Sequence, residues 1–352
     1  MVAACENRER RAKEAQMATI GDVARAAGVS RSTVSYVLSG KRVISAETKE
    51  RIEAAIELLG FTPNAGARAL ATSRTNVLGL YLQFQEDEFA PAMLQYILPV
   101  STTSRAEGYD LLMVTDPDLA GAIRRTTSSH MVDGVVLLDV TYHDARLEPL
   151  RQAQQPAVLI GYAQDSAGFD SFDLDFGEAA RMAVDHLAER GHREIVLLTP
   201  PDHVATRGGS YVWRFRDAAI ERAARHGIRL SAHPGASRHP EIAESLDRAL
   251  DALPGATALI VHNDATVAAL PRLLDERGIR VPQDLSVVGV FSQGFGQAFS
   301  LPYTAVESLP DRLGELAVAQ LVRRIADPSS AGAPVVRLIE PGFFDRGSTR
   351  AV

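Results

Sequence analysis

With 352 residues the chain is too long for one hydrophobic core, so two or three domains are expected, and its single cysteine, Cys5, excludes an internal disulfide and thiolate metal clusters. The net charge of −7 argues against nucleic-acid binding by the chain as a whole. That charge is uneven, because residues 1–76 contain 12 Lys and Arg against 8 Asp and Glu, a net of +4, while the remaining residues carry −11.

Residues 1–17 form a polar N-terminal extension that lacks the apolar run of a signal peptide. Met17 directly precedes the first recognisable motif, so either Met1 or Met17 could be the true start. No later stretch of about eighteen apolar residues predicts a transmembrane helix. A cytoplasmic location without membrane association is therefore expected, and the low cysteine content agrees with it.

Residues 18–62 have the pattern of a small all-α, helix-turn-helix DNA-binding headpiece. Thr19 begins a helix start signal, Gly28 supplies a left-handed turn residue, and Ser30 is placed to cap the second helix. A third helix is predicted over 45–59, where it completes the core. Apolar residues of the second helix face inward at helical spacing, and the residues predicted to face outward are Arg31, Ser32, Ser35 and Tyr36.

This stretch resembles the headpiece of the LacI/GalR family of bacterial repressors. The motifs that carry the resemblance are Thr19-Ile-Gly-Asp-Val-Ala-Arg-Ala-Ala-Gly-Val-Ser-Arg-Ser-Thr-Val-Ser35, Val43-Ile-Ser-Ala-Glu-Thr48, Gly60-Phe-Thr-Pro-Asn64 and Ala67-Arg-Ala-Leu-Ala71. Ordered matches at so many positions are not expected by chance. The resemblance implies that the start of the second helix enters the major groove of DNA.

Roles for individual side chains follow from that resemblance. The residues placed to read base edges are Arg31, Ser32 and Tyr36, of which Arg31 can fork onto a guanine in a contact that contributes roughly 1–3 kcal/mol of discrimination. The residues at positions that resemble phosphate contacts are Thr19, Ser30, Thr33, Ser35, Ser45 and Asn64. The plainer alternative is that several of these hydroxyls only cap helices, and for Ser30 and Ser45 both roles are expected together.

Residues 63–76 are predicted to form a hinge helix and linker. The resemblance implies a segment that becomes helical when two copies meet on DNA, with minor-groove contacts from Ala67 and with Leu70 inserted at the central base step. Gly66 lowers helix propensity, which suits a segment that folds only on binding. The alternative is a plain linker.

From Val77 onward, short apolar runs alternate with amphipathic segments, such as the helix predicted over 177–190. This alternation predicts parallel sheets covered on both faces, and two sets of four strands predict two doubly wound α/β lobes. The predicted strands are 77–82, 109–114, 134–138 and 157–160, then 194–198, 228–230, 258–261 and 285–290. Lobe crossings near 172–175, 300–304 and 331–335 give a first lobe of about 77–173 and 303–333 and a second lobe of about 174–302 and 334–350.

Residues 77–350 resemble the periplasmic-binding-protein-like domain of the same family, which implies effector binding and dimerisation. The motifs are Asp133-Gly-Val-Val136, Pro156-Ala-Val-Leu-Ile160, Asp185-His-Leu-Ala-Glu-Arg-Gly-His192, Asn263-Asp264, Val281-Pro-Gln-Asp-Leu-Ser-Val-Val-Gly289 and Arg346-Gly-Ser-Thr349. Ligands of such folds lie between the lobes, at the carboxyl ends of the strands. The residues expected to line this cleft are Gln83, Phe84, Asp139, Tyr162, Tyr211, Trp213, Arg214, Asp264 and Phe291.

Two departures from the sugar-binding relatives concern this cleft. Tyr211 stands where they usually carry Arg, and Gly289-Val-Phe291-Ser292 replaces their Gly-(Phe/Tyr)-Asp-Asp. The loss of an arginine and two carboxylates removes groups that bind hydroxyls, so a sugar effector, a non-sugar effector and no effector all stay open. Ordinary lobe packing is an equal alternative for Tyr162, Tyr211 and Trp213.

Catalysis is the rival hypothesis from another class. The sequence contains no nucleophile elbow, P-loop or metalloprotease motif, and its nine histidines are scattered. We therefore expect no enzyme activity, metal or cofactor. A soluble small-molecule binding protein of the transport type is disfavoured by the headpiece and by the missing signal peptide.

The sequence thus predicts a transcriptional regulator, in the first instance a repressor, that binds a pseudo-palindromic operator as a homodimer. A small molecule between the lobes would control it. Both an inducer and a corepressor are compatible with the residues.

Overall fold

The computed structural model describes residues 18–39, 42, 44–61, 74–85, 89–327 and 332–352. The chain divides into two compact units, Met1–Thr75 and Asn76–Val352. The predicted N-terminal extension and most of the predicted hinge, residues 63–73, lie outside the described residues.

In its described residues, the first unit consists of the helices α1 (Ile20–Ala27), α2 (Arg31–Ser39) and α3 (Ala46–Leu59). Thr19 and Asp22 form a reciprocal capping box on α1, and Gly28, with a φ of 65°, ends that helix in the left-handed conformation. Ser45 caps α3, and Gly60 ends it with a φ of 58°. The helices enclose a small core of Val23, Ala24, Ala27, Val34, Ile52, Ala55 and Phe61.

Strands of the second unit, in chain order within its described part, are β1 (Val77–Tyr81), β2 (Asp110–Val114), β3 (Gly134–Leu137), β4 (Ala157–Ile160), β5 (Asp170–Leu174), β6 (Glu194–Thr199), β7 (Arg229–Pro234), β8 (Ala258–Val261), β9 (Ser286–Val290), β10 (Thr304–Glu307), β11 (Val336–Ile339) and β12 (Gly342–Phe344). They form two sheets of six strands, one in each lobe.

The helices of this unit, over the same described residues, are α4 (Ala90–Ala106), α5 (Leu119–Ser128), α6 (Leu147–Gln152), α7 (Phe176–Glu189), α8 (Asp202–Thr206), α9 (Ser210–Arg225), α10 (Glu241–Asp251), α11 (Asp264–Glu276), α12 (Gln293–Ala298) and α13 (Pro310–Ala326). None of the helices in the described part of the chain is long and apolar enough to cross a bilayer.

Both sheets have the doubly wound arrangement. The first has the order β11-β5-β4-β3-β1-β2, with every pairing parallel. The second has the order β12-β10-β9-β8-β6-β7 and is parallel except for β12, which pairs antiparallel with β10. Every residue of β3, β4 and β8 is buried, because helices pack apolar clusters against both faces of each sheet.

The prediction of four strands in each lobe is wrong, since each sheet gains two strands. β5 escapes prediction because it reads Asp-Ser-Phe-Asp-Leu, although all five residues are buried. Its carboxylates, Asp170 and Asp173, are paired with Arg324 and Arg214. β11 lies at a sheet edge with three of its four residues exposed, β12 has only three residues, and β10 has four. Short or polar strands of this kind give no apolar run to detect.

Two of the three predicted lobe crossings are also wrong. The first crossing lies at Asp175, which joins β5 to α7. The second does not fall at 300–304, because β10 belongs to the second sheet; it falls at 308–309, before α13 packs on the core of the first lobe. The third falls at 340–341 and not at 331–335, because β11 completes the first sheet. The expected lobe limits near 303 and 333 therefore move to 308–309 and 340–341.

Candidate DNA-binding surface and effector cavity

The N-terminus of α2 carries a cluster of three hydroxyl groups. Ser30 Oγ lies 2.7 Å from Ser32 Oγ and 2.8 Å from Thr33 Oγ1, and it accepts a hydrogen bond from the Thr33 N–H at 3.1 Å. Ser30 therefore caps α2. Ser30 and Ser32 are exposed, so their hydroxyls are also accessible to an incoming phosphate oxygen.

Arg31 is exposed at the first position of α2. A Cβ placed on Gly21 would come within 2.8 Å of Arg31 Nη2, so the absence of a side chain at Gly21 leaves the space that the guanidinium uses. Within the described part of the chain, Arg31 forms no salt bridge. Its charge is therefore available to a nucleic acid.

Tyr36 lies further along α2 and is half-buried. The Arg42 guanidinium lies 5.5 Å from the centre of its ring, within the range of a cation–π contact. Ser35 is half-buried beside it. Arg42 adds a positive charge at Tyr36 that the sequence pattern alone did not reveal.

Two other predicted phosphate contacts are engaged in capping. The Thr19 hydroxyl donates to Asp22 Oδ2 at 2.7 Å, which holds the pKa of this carboxyl below its usual value. Ser45 Oγ accepts a hydrogen bond from the Thr48 N–H and lies 2.9 Å from Thr48 Oγ1. Three further predicted DNA contacts lie outside the described residues, namely Asn64, Ala67 and Leu70.

Arg51 is a positioning residue that sequence reasoning missed. From α3 it donates hydrogen bonds to the carbonyl oxygens of Ala27 and Gly28, where α1 ends and the turn begins. These carbonyls lack partners within the helix, and the C-terminal end of the helix dipole favours a cation. Arg51 thus holds the turn that presents α2. An exposed arginine on a helix has no sequence signal that distinguishes this role from simple solvation.

We expect Arg51→Met to loosen this turn by about 1 kcal/mol, which is roughly fivefold faster amide exchange, because hydrogen bonds from a charged group to two carbonyls are lost. Hydrogen exchange of the full chain, read at the Val29 amide that bonds the Ala24 carbonyl, measures this. Lys49→Met, on the same helix, is the control, because Lys49 makes only an exposed pair with Glu53. Equal exchange in the two variants would contradict the positioning role.

The second unit contains a cavity of about 150 Å³ between its lobes. The ends of β3, β4 and β9 contribute to it, as do helices of both lobes, in agreement with ligand sites at the carboxyl ends of parallel strands. Four of the predicted cleft residues line it: Asp139, Tyr162, Tyr211 and Asp264. The polar and aromatic lining residues that were not among the predicted ones are Gln95, Tyr96, Asp173, Phe176, Ser210, His262 and Ser308.

Five predicted cleft residues do not line this cavity. Gln83 donates from Nε2 to the Pro117 carbonyl at 2.7 Å, and Phe84 lies in the segment after β1 with 42% of its surface exposed. Phe291 is only 1% exposed and packs against Phe295 and Phe344. Its apolar ring is buried in the core of the second lobe, and the strand end offers only Val290 to the cavity.

The remaining two, Trp213 and Arg214, lie on α9 and are not among the lining residues. The Trp213 ring meets Tyr142 edge-on, with 5.7 Å between centroids. Arg214 Nη1 donates to Asp173 Oδ2 at 2.5 Å, and Nη2 donates to the Leu174 carbonyl at 3.1 Å. Burial raises the pKa of the Asp173 carboxyl, and the Arg214 guanidinium opposes that rise. Arg214 therefore neutralises a lining carboxylate and does not itself form the surface.

Two polar contacts join the lobes at the cavity. Asp139, held at a φ of 53° after β3, pairs with Arg207 of the second lobe at 3.4 Å. Gln95 of α4 donates from Nε2 to Asp264 Oδ1 at 3.2 Å and accepts a hydrogen bond from Ser292 Oγ at 2.6 Å. Asp139, Gln95 and Asp264 also line the cavity, so both contacts lie at its wall.

Asp264 and His262 have strongly shifted pKa values. Burial raises the pKa of Asp264 to about 6, with the Gln95 hydrogen bond opposing the rise. Burial lowers the pKa of His262 to about 3. The His262 ring is packed 4.3 Å from Phe215, and its Nδ1 has no hydrogen-bond partner among the described residues. The histidine on this wall is therefore uncharged at neutral pH.

Asp264→Asn should stabilise the ligand-free protein above pH 6. A raised pKa means that the folded state prefers the protonated carboxyl, so stability falls as pH rises from about 4 to about 6 and the loss is complete above that window. The asparagine removes a penalty of about 1–3 kcal/mol at pH 7.5, and the difference narrows towards pH 4. Urea unfolding between pH 5 and 8 measures this, with the exposed Asp251→Asn as control. A difference that does not vary with pH would contradict the assignment.

An exposed arginine-bearing recognition helix, joined in one chain to a two-lobed unit with a cavity at its strand ends, defines a DNA-binding transcriptional regulator with its own sensor domain. The family model "Bacterial regulatory proteins, lacI family" matches residues 19–64. The chain is also 30% identical over 340 residues to the HTH-type transcriptional repressor PurR of Pectobacterium carotovorum, covering 94% of this chain and 97% of that protein. The protein therefore belongs to the LacI family of bacterial transcriptional regulators.

Further similarities cover part of the sensor or nearly the whole chain. A periplasmic binding protein-like domain matches residues 184–349. The HTH-type transcriptional repressor PurR of Haemophilus influenzae is 28% identical, and the match covers 96% of this chain and 100% of that protein. Among solved structures, the lac repressor dimer bound to operator and the anti-inducer ONPF has a TM-score of 0.79 at 24% identity, over 96% of this chain and 100% of that one. The transcriptional regulator CelR–cellobiose complex has a TM-score of 0.66 at 25% identity, and the match covers 94% of this chain and 99% of that one.

Proposed function

We propose that this regulator is a cytoplasmic repressor that binds a pseudo-palindromic operator as a homodimer and changes its operator affinity when a small molecule enters the inter-lobe cavity. The observation that carries DNA binding is the exposed, unbridged Arg31 at the start of α2, within the described residues of the first unit. The net charge of +4 on residues 1–76 favours approach to the phosphate backbone, and the −11 on the rest keeps the sensor off the duplex.

On DNA, we assign base reading to Arg31, Ser32 and Tyr36. Arg31 forks onto a guanine, while Ser32 and Tyr36 add hydroxyl contacts. The assigned phosphate contacts, which set register without reading sequence, are Thr19, Ser30, Thr33, Ser35, Ser45 and Asn64. Ala67 and Leu70 enter the minor groove, where Leu70 opens a base step.

A surface on the first lobe supports the homodimer. Leu94 and Leu98, one turn apart on α4, and Met113 on the adjacent β2 are apolar and exposed. β2 is also an edge strand of its sheet, so that no further strand of the described residues pairs with its outer side. Exposed apolar residues that cluster on one face mark association surfaces. A two-fold pairing across this face gives the two-fold symmetric half-sites that a pseudo-palindrome requires.

The cavity supports control by a ligand. The Asp139–Arg207 pair and the Gln95–Asp264 hydrogen bond both span the lobes, so a ligand that replaces either contact has different affinities for different lobe arrangements. Such a difference is the requirement for a shift in conformation. By reciprocity, operator DNA changes ligand affinity by the same factor, whether the ligand acts as an inducer or as a corepressor.

Selection from randomised DNA duplexes tests the proposal. The full-length protein should enrich a two-fold symmetric site, and its affinity for that site should fall steeply as salt rises, because phosphate contacts release counterions. The same salt titration on unrelated DNA is the control. Recovery of asymmetric or random sequences would contradict the proposed operator binding.

A further inference from the structure

The charges around the inter-lobe cavity restrict what can bind there. Three carboxylates line the cavity, on Asp139, Asp173 and Asp264. Arg207 is paired with Asp139 at 3.4 Å, and Arg214 is paired with Asp173 at 2.5 Å. Each of these two guanidinium groups is therefore neutralised by one lining carboxylate. Neither guanidinium group is left to neutralise an incoming anion.

Arg214 is further enclosed by aromatic rings. Its guanidinium carbon lies 5.2 Å from the centre of the Tyr162 ring and 5.6 Å from that of Phe176. The Leu174 carbonyl oxygen accepts a hydrogen bond from Arg214 Nη2. A phosphate or carboxylate would have to displace Asp173 from a buried ion pair to reach this cation, which is strongly unfavourable.

His262 does not compensate, because a buried neutral imidazole carries no positive charge. Asp264, in contrast, faces the cavity with a neutral amide, Gln95, as its one side-chain hydrogen-bond partner among the described residues. The wall thus carries one carboxylate more than the guanidinium groups neutralise. An anion that enters the cavity meets repulsion from Asp264 at low dielectric.

The N-terminus of α11 does not provide an anion-binding site in this cavity either. Helix N-termini bind anions through unpaired backbone N–H groups. Here Asn263 Oδ1 accepts a hydrogen bond from the Thr266 N–H at 2.9 Å, and Asp264, the first residue of α11, places its own carboxylate at this end. The protein therefore already supplies the negative charge that the helix end favours.

We propose that the cavity binds a small ligand without an anionic group, one that donates hydrogen bonds from hydroxyl or amine groups to Asp264 and packs against the rings of Tyr96, Phe176 and Tyr211. This inference rests on the proposed function only in that it places the effector in this cavity. Gln95 occupies the position of such a ligand group, since it donates to Asp264 and accepts from Ser292. Aromatic faces accommodate both sugar C–H groups and ammonium groups.

Matched pairs of ligands test the charge rule on the full-length protein. Thermal-shift and calorimetric titrations would compare glucose with glucose 6-phosphate, ribose with ribose 5-phosphate, adenosine with adenosine monophosphate, and putrescine with succinate. At least one uncharged or amine member should raise the Tm, and its anionic counterpart should bind at least tenfold more weakly. If only the polyols bind, the site selects O–H donors. If only putrescine binds, the site selects N–H donors.

Two variants connect a hit to Asp264. Asp264→Asn should weaken the hit about tenfold, because a charge-assisted hydrogen bond becomes a neutral one. Asp251→Asn, which removes an exposed charge from α10, should leave the affinity unchanged. Equal affinities in both variants would contradict the role of Asp264.

Equal or tighter binding of any anionic member overturns the proposal, and so does a panel without a hit at millimolar concentrations. Operator titrations separate this failure from that of the proposed function. An anionic ligand that alters operator affinity leaves the ligand-controlled regulator intact and overturns the charge rule. A non-anionic ligand that binds without altering operator affinity supports the charge rule and contradicts effector control.

Discussion

Arg31→Ala should weaken binding roughly 5- to 150-fold for each half-site, hence at least about 25-fold for the dimer on the whole operator, and abolish discrimination at one base pair of each half-site. The guanidinium is exposed at the first residue of α2, and the loss of a bidentate contact to guanine costs about 1–3 kcal/mol for the correct base but little for others. Titration of a set of operators, each with one base pair changed, measures both effects. The variant should bind the operator and the operators substituted at the base pair that Arg31 reads with equal affinity.

Arg25→Ala provides the matched control for this charge. Arg25 is a 78% exposed side chain on α1, and it pairs with Asp22 at 3.0 Å. Its removal should lower the affinity for all sequences by a similar small factor, as the loss of general electrostatic attraction does. A uniform loss for Arg31→Ala as well would assign Arg31 to phosphate contact and leave base reading to Ser32 and Tyr36.

Leu98→Asp should weaken dimerisation more than 100-fold. Leu98 is 59% exposed on α4, one helical turn from the exposed Leu94. In a two-fold interface each substitution appears twice, so two unpaired carboxylates would be buried at a cost of at least ~3 kcal/mol. Sedimentation velocity measures the dissociation, and operator affinity should fall with it because a monomer holds only one half-site.

The opposite edge of the same sheet supplies the control. Leu338 on β11 is 42% exposed, and Leu338→Asp adds the same charge there. This variant should remain a dimer. If Leu338→Asp dissociates the protein while Leu98→Asp does not, the dimer uses the β11 edge, and the assignment to α4 and β2 is wrong.

The headpiece could be predicted from sequence because its signals are local. The Thr19 capping box, the left-handed Gly28 and the Ser45 cap each act within a few residues, and the structure has helices between them. Arg51 could not be predicted, since its contact with the Ala27 carbonyl joins positions 24 residues apart. A single sequence carries no record of such a pairing.

The cavity was only half predictable for a similar reason. Asp139 and Asp264 follow apolar strands, so the rule that ligands lie at strand ends places them correctly in the lining. Phe291 follows a strand too, but its hydrophobic ring gains more from the core than from a polar cavity. Gln95 reaches the cavity from α4, and Asp173 from a strand whose polar residues conceal it, so neither has a detectable pattern.

The interleaving of the two lobes has a consequence for synthesis on the ribosome. The first sheet lacks β11 and the second lacks β12 until residues 336–344 have left the exit tunnel, so both lobes complete their sheets only at the end of synthesis. The described core of the headpiece lies within residues 18–61, so the headpiece can fold long before that point. A nascent chain should therefore carry a folded headpiece ahead of two unfinished lobes, and a stop codon before residue 336 would damage both halves of the sensor at once.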